Sequence, residues 1–192
     1  MKYYLDIQLL SLADIDHHFL WEKVYKQIHL GLVDIKDSNG LSNIGVAFPE
    51  YNLEQLALGT KLRLLAPDKK MLEDFNIKKC LNTLSDYIHI ENIREIPSHI
   101  KNYVRYKRQQ SKSNVQRLAR RKAKRESISL VQALTSLSNC KEVLIKAPFI
   151  KVSSISTGQH FQIFVIKESA AELISEKFSC YGLSAISTIP DF

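Results

Sequence analysis

At 192 residues, 45% of them hydrophobic, the chain is long enough to bury the core of one domain or two small ones. No run approaches the roughly 20 apolar residues of a membrane-spanning helix, and the N-terminus enters a strand pattern with no signal-peptide core, so a cytoplasmic protein is expected. The net charge of +7 is local: Lys101 to Arg125 holds eleven Lys or Arg and no Asp or Glu, which leaves 16 basic against 20 acidic residues elsewhere. An acidic body with one basic segment is built for a polyanion.

In chain order, Lys2 to Leu10 mixes alternation with Tyr3, Tyr4 and Ile7 and predicts a strand. A helix follows over His17 to Val33, capped by Asp16, with Trp21, Val24, Tyr25, Ile28 and Leu32 as its apolar stripe. Asp34 to Asn43 has turn chemistry around Ser38, Asn39 and Gly40; Ile44 to Phe48 and Lys61 to Ala66 read as strands. Pro67 and Asp68 open a second helix near Lys69 to Asn76, and Tyr87 to Ile93 closes the series as a strand. Strand, helix, strand, strand, helix, strand is the order of a ferredoxin-like unit, so the expected class is α+β: a ferredoxin-like domain over residues 1–97, then a smaller α+β domain over residues 98–192 with an arginine-rich helix.

Pro97 and Ser98 mark the expected linker. Beyond it, Arg117, Arg120, Arg121, Lys124 and Arg125 recur at i, i+3, i+4, i+7 and i+8, one face of a helix that Ser113 or Asn114 can cap. From Arg117 to Arg125 that face rises roughly 12 Å, enough to meet several phosphates. Its charges repel, so marginal stability is expected until phosphates screen them. A short helical pattern at Leu130, Val131, Leu134 and Leu137 follows, then strands at Phe149 to Ser154 and Phe161 to Ile166, and a last short strand from Phe178 to Leu183.

Candidate chemistry is sparse. Cys80, Cys140 and Cys180 lie far apart in no C-x-x-C pair, and the histidines occupy no metal-ligand spacing. There is no phosphate-binding glycine loop of the Walker or dinucleotide type. Neither a metal nor a cofactor is expected. His29 lies at the edge of the first helix's apolar stripe, about 80° round from Trp21 at 100° per residue, where a side chain is partly buried yet reaches a surface groove. Ser153, Ser154, Ser156 and Thr157 gather four hydroxyls beside Gly158. Taken alone, each has a structural reading, a core-edge histidine and a polar β-turn.

Six separated segments together resemble one family. They are Tyr4-Leu5-Asp6-Ile7; His29 in the first helix; Asn43-Ile44-Gly45-Val46 leading to Phe48-Pro49; Ser111-Lys112-Ser113-Asn114 before a basic helix; Ser156-Thr157-Gly158-Gln159-His160-Phe161; and Cys180-Tyr181-Gly182-Leu183-Ser184. In this order they resemble the CRISPR repeat-RNA endoribonucleases of type I-F systems over nearly the whole chain. The resemblance implies an enzyme that cuts the precursor transcript within each repeat at the base of a stem-loop, keeps the mature crRNA, and joins other subunits of a type I-F effector complex.

By position, the resemblance makes His29 the catalytic histidine, Ser154 the hydroxyl that holds the attacking 2′-OH, and Tyr181 the group that orients the histidine. Arg108 and Gln110, in the linker before the basic helix, match readers of base edges. Lys112 and Asn114 fall in the RNA-binding segment ahead of the helix. Arg117, Arg120, Arg121, Lys124 and Arg125 match the helix that enters the hairpin's major groove. Phe161 matches an aromatic stacked on the terminal base pair, and Ser156 a contact near the scissile phosphate. Lys124 stands where relatives more often have arginine, and Val115 where some have proline. Phosphates around His29 favour imidazolium, which suits an acid, while the resemblance favours a base, so the direction of proton transfer stays open. A noncatalytic hairpin-binding subunit would keep the basic helix without needing His29 or Ser154. A membrane role is disfavoured because only Val115, Leu118, Ala119 and Ala123 are available as an apolar face.

Overall fold

The computed structural model describes residues 1–11, 15–110, 115–140, 145–153 and 158–192. The fold is mixed α/β. In chain order the elements are β1 (Tyr3–Leu9), α1 (His17–Asp34), β2 (Leu41–Ser42), β3 (Gly45–Ala47), β4 (Lys61–Ala66), α2 (Lys69–Phe75), α3 (Ile77–Cys80), β5 (Ile88–Ile90), β6 (Arg94–Glu95), β7 (Tyr103–Gln109), α4 (Val115–Glu126), α5 (Leu130–Ser136), β8 (Phe149–Ser153), β9 (His160–Ala170), β10 (Phe178–Ser179) and β11 (Ile189–Pro190). Two compact units emerge, Met1–Arg108 with Ala147–Phe192, and Gln109–Lys146. Their bounds differ from the division at Pro97 expected from composition.

In the first unit, one sheet runs β3-β4-β1-β5, with β6 also pairing β1, and every pairing is antiparallel. Alternation places Leu5, Ile7 and Leu9 on one face of β1 and Tyr4 and Asp6 on the other, and all five are buried. α1 forms where its stripe predicts: Asp16 Oδ1 accepts from the His18 N–H at 3.0 Å, and Leu20, Trp21, Val24, Tyr25, Ile28 and Leu32 are buried. At its far end Asp37 Oδ1 accepts from Asn39 N and Leu41 N, which makes the expected turn. α2 is capped by Asp68, but stops at Phe75 because Asn76 takes a left-handed conformation and itself caps α3.

Across the sheet from Leu5 and Ile7 lies a buried ion pair. Arg63 on β4 donates through Nε to Asp6 Oδ1 at 2.6 Å and through Nη2 to Oδ2 at 2.8 Å, while Nη1 donates to the Phe192 carbonyl at 2.6 Å. Its guanidinium lies 3.9 Å from the Phe192 ring centroid and 4.6 Å from that of Tyr4.

A second sheet runs β11-β7-β9-β8. Two expectations are corrected here. The segment holding Arg108 is not a linker: Tyr103–Gln109 is a strand inside this sheet, because Val104 and Tyr106 alternate with Arg105 and Lys107 and are buried. Nor does the strand that begins at Phe178 run to Leu183, and a further short strand, β11, follows it. β10 ends at Ser179, where the chain turns back with the Gly182 N–H donating to Ser179 O at 2.8 Å. β10 pairs with β2, Phe178 opposite Ser42, which delivers that turn to the N-terminal half of the unit.

The second unit is a helical hairpin. α4 packs on α5 through Ala119 and Ala133, both fully buried. Ser129 and Gln132 form a capping box at the start of α5. Arg117, Arg120, Arg121, Lys124 and Arg125 are all exposed on α4. Lys122, off that face, donates to Ser136 Oγ at 2.7 Å and lies 3.9 Å from Glu126. Ser113 and Asn114, the expected caps of α4, lie outside the described residues.

Candidate active site

Tyr25 and His29 stand one helical turn apart on α1, so both side chains project toward the same neighbour. That neighbour is the turn after β10. His29 Nδ1 donates to the Cys180 carbonyl at 2.8 Å, and the Tyr25 hydroxyl donates to the Tyr181 carbonyl at 2.8 Å. The imidazole also lies flat on the Tyr181 ring, with centroids 4.0 Å apart and planes inclined by 6°. A carbonyl only accepts, so Nδ1 carries a proton and Nε2 is the atom left to exchange one. Burial pushes the Tyr25 hydroxyl far above its ordinary pKa, so it stays protonated and remains a donor. Burial, and then Cys180, raise that of Tyr181.

The turn needs glycine. Gly182 has φ +69, and a Cβ there would come within 2.2 Å of Val46 Cγ2. The Val46 N–H donates to Gly182 O at 2.9 Å, which ties the turn to β3. Ser179 Oγ closes it from inside by donating to Leu183 O at 2.8 Å.

Arg108 arrives from β7. Its guanidinium lies 5.3 Å from the Phe161 ring centroid and 5.7 Å from that of Tyr181. Four residues singled out in the sequence, His29, Tyr181, Arg108 and Phe161, are thus brought together from α1, the β10 turn, β7 and β9. Ser154, Ser156, Lys112 and Asn114 lie outside the described residues. Gln110 is exposed just past β7, and the α4 cations belong to the other unit. Tyr25 entered the sequence reading as an apolar stripe residue; its spacing of four from His29 was the available sign that its hydroxyl would share the histidine's target. Lys26 and Ser153 also meet here, Nζ donating to Oγ at 3.3 Å.

The family model described as CRISPR-associated protein (Cas_Csy4) matches residues 4–192. The chain belongs to the Cas_Csy4 family. It is similar to the CRISPR-associated endonuclease Cas6/Csy4 of Escherichia coli (strain UTI89 / UPEC), 31% identical over 193 residues, and to that of Pseudomonas aeruginosa (strain UCBPP-PA14), 31% identical over 194; each alignment covers 100% of both chains. A solved structure titled "CRISPR associated protein Cas6" is a remote likeness, with 9% identity and a TM-score of 0.36 over 99% of this chain and 98% of that one. With Cas_Csy4 membership, the reading of the sequence as a CRISPR-associated, RNA-processing endonuclease stands. Among the described residues of this Cas_Csy4 chain, no helix is long and apolar enough to cross a membrane.

Proposed function

We propose that this chain is a metal-independent endoribonuclease that binds the stem-loop of a CRISPR repeat and cuts the precursor RNA at the base of the stem. The observation that carries the reading is the seat of His29. A ring held by Cys180 O at one nitrogen and by the Tyr181 face along its plane presents Nε2 in one fixed direction. The 2′-OH of the nucleotide before the cut attacks the adjacent phosphorus and gives its proton to Nε2. The bond from phosphorus to the 5′-oxygen breaks, that oxygen takes up a proton, and the products are a 2′,3′-cyclic phosphate and a 5′-OH. The nucleophile belongs to the RNA, so the step requires neither metal nor nucleotide, and a 2′-deoxy substrate cannot react. With Nδ1 as donor, the neutral ring has its lone pair on Nε2, as the base role requires, and the protonated ring would offer an Nε2 proton to the leaving oxygen instead.

In this reading Ser154 holds the attacking hydroxyl and Ser156 contacts the scissile phosphate. Phe161 stacks on the terminal base pair beside Arg108, which reads base edges with Gln110. Lys112, Asn114 and the exposed cations of α4 hold the hairpin's phosphates and groove. The functional division is residues 1–97 for the catalytic histidine and 98–192 for RNA binding. The first part is read as ferredoxin-like, supported by an antiparallel sheet in which β1 lies between β4 and β5. The enzyme keeps its product in the cytoplasm as part of a type I-F effector complex.

The test is incubation with the cognate repeat hairpin in EDTA, beside the same RNA carrying 2′-deoxy before the cut. Cleavage of the all-ribose RNA alone, ending in a cyclic phosphate, supports the nuclease. Tight binding with no cleavage leaves a hairpin-binding subunit. Binding itself should weaken steeply with salt, and Arg121→Ala should reduce the slope of log K against log salt by about one if that side chain meets a phosphate. An unchanged slope removes Arg121 from the RNA contact.

A further inference from the structure

Cleavage by a neighbouring hydroxyl has three needs: alignment, a proton acceptor and a charge to oppose the phosphorane. Under the nuclease reading, Ser154 and Tyr181 serve alignment and His29 takes the proton. Ser156 is a neutral hydroxyl, and Arg108 is engaged with the bases. The third need has no charged group assigned to it.

Lys26 fits the vacancy in the chemistry. It lies on α1 three residues before His29, a spacing that puts the two Cβ atoms roughly 5–6 Å apart on one helix face. The residue is half-buried, and Nζ donates to Ser153 Oγ at 3.3 Å on the last residue of β8. Ser153 immediately precedes Ser154 in sequence.

Charge pairing makes the position more telling. Among the described residues Lys26 has no carboxylate within ion-pair distance; Glu22, one turn back on α1, faces Lys23 at 3.8 Å. An ammonium has three donors, and among the described residues this half-buried one meets a neutral hydroxyl and no counter-charge. An anion at this spot would restore the balance. A phosphate whose 2′-oxygen is within reach of His29 Nε2 brings that anion, and its charge grows as the phosphorane forms.

Resting on the nuclease reading, we infer that Lys26 is a further catalytic residue: its ammonium contacts the non-bridging oxygens of the scissile phosphate and stabilises the charge that develops there, while Ser153 aims it. Lys26 gives up no proton and forms no covalent bond. Its action is electrostatic and larger in the transition state than in the ground state, so it acts on rate more than on affinity.

The experiment is single-turnover cleavage of the repeat hairpin in EDTA by wild type, Lys26→Met, Lys26→Arg and Ser153→Ala, with affinity measured on the 2′-deoxy hairpin and folding checked by thermal melting. Lys26→Met retains the apolar stem and should cut about tenfold or more slower with hairpin affinity within about threefold. Lys26→Arg restores the charge and should recover most of the rate, and Ser153→Ala should lose less than Lys26→Met. Equal rates for Lys26→Met and wild type overturn the inference, as does a parallel loss of rate and affinity, or an arginine variant as slow as the methionine one. A wild-type protein that binds and never cuts overturns the nuclease reading itself and this inference with it. Cutting that is indifferent to Lys26 overturns the inference alone.

Discussion

His29→Ala protein should bind the repeat hairpin with wild-type affinity and cut it about 10²- to 10⁴-fold more slowly, the range expected for losing a positioned proton-transfer group. The side chain is half-buried; among the described residues it donates through Nδ1 to Cys180 O and stacks on Tyr181, so its removal costs that ring contact and should be checked by thermal melting. Affinity is assigned to other residues. The comparison that decides is the single-turnover rate beside the hairpin Kd, both in EDTA. Cleavage at the wild-type rate by the alanine variant moves the reaction away from His29. A pH series on wild type then gives the direction of proton transfer: the rate rises with pH if Nε2 accepts the 2′ proton, because the neutral ring is the active form, and falls if the imidazolium donates to the leaving oxygen.

Asp6→Ala should lower the stability of the fold by about 3–5 kcal/mol, because it strands Arg63 as a buried cation. Both side chains are buried, the pair is bidentate, and the Tyr4 and Phe192 rings flank the guanidinium. At about 2–4 °C per kcal/mol for a chain of this size, thermal melting should show a fall of about 6–20 °C. The pair itself is replaceable. Asp6→Leu with Arg63→Met should regain most of the loss, since two apolar side chains leave no charge unsatisfied. An Asp6→Ala protein melting within about 2 °C of wild type would mean that water reaches Arg63.

Strongly periodic segments announced themselves. The Asp16 cap and the 21, 24, 25, 28, 32 stripe specified α1, and β4 coincides with Lys61 to Ala66. In β7 the period of two is obscured by the surrounding positive charge: Val104 and Tyr106 face the core while Arg105 and Lys107 alternate with them, and both basic residues lie near Glu168 on β9. The turn at Cys180 to Gly182 is hidden for another reason. Apolar Phe178 and Leu183 read as one strand, and only the left-handed Gly182 reverses the chain between them. The likeness to a known family named His29 and Tyr181. That Cys180 would serve through its main chain depended on the pairing of β10 with β2, a contact over more than a hundred residues that no local pattern encodes.

The two groups that α1 presents to the β10 turn both bind peptide oxygens, His29 at Cys180 and Tyr25 at Tyr181. Every amino acid supplies the same oxygen. Divergence at residue 180 can therefore exchange the cysteine for another side chain of similar size and leave the imidazole's partner in place. Residue 182 has no such freedom, because there the missing side chain is the requirement. In descendants of this sequence, the histidine's orientation is guarded by a glycine two positions away from the atom that holds it.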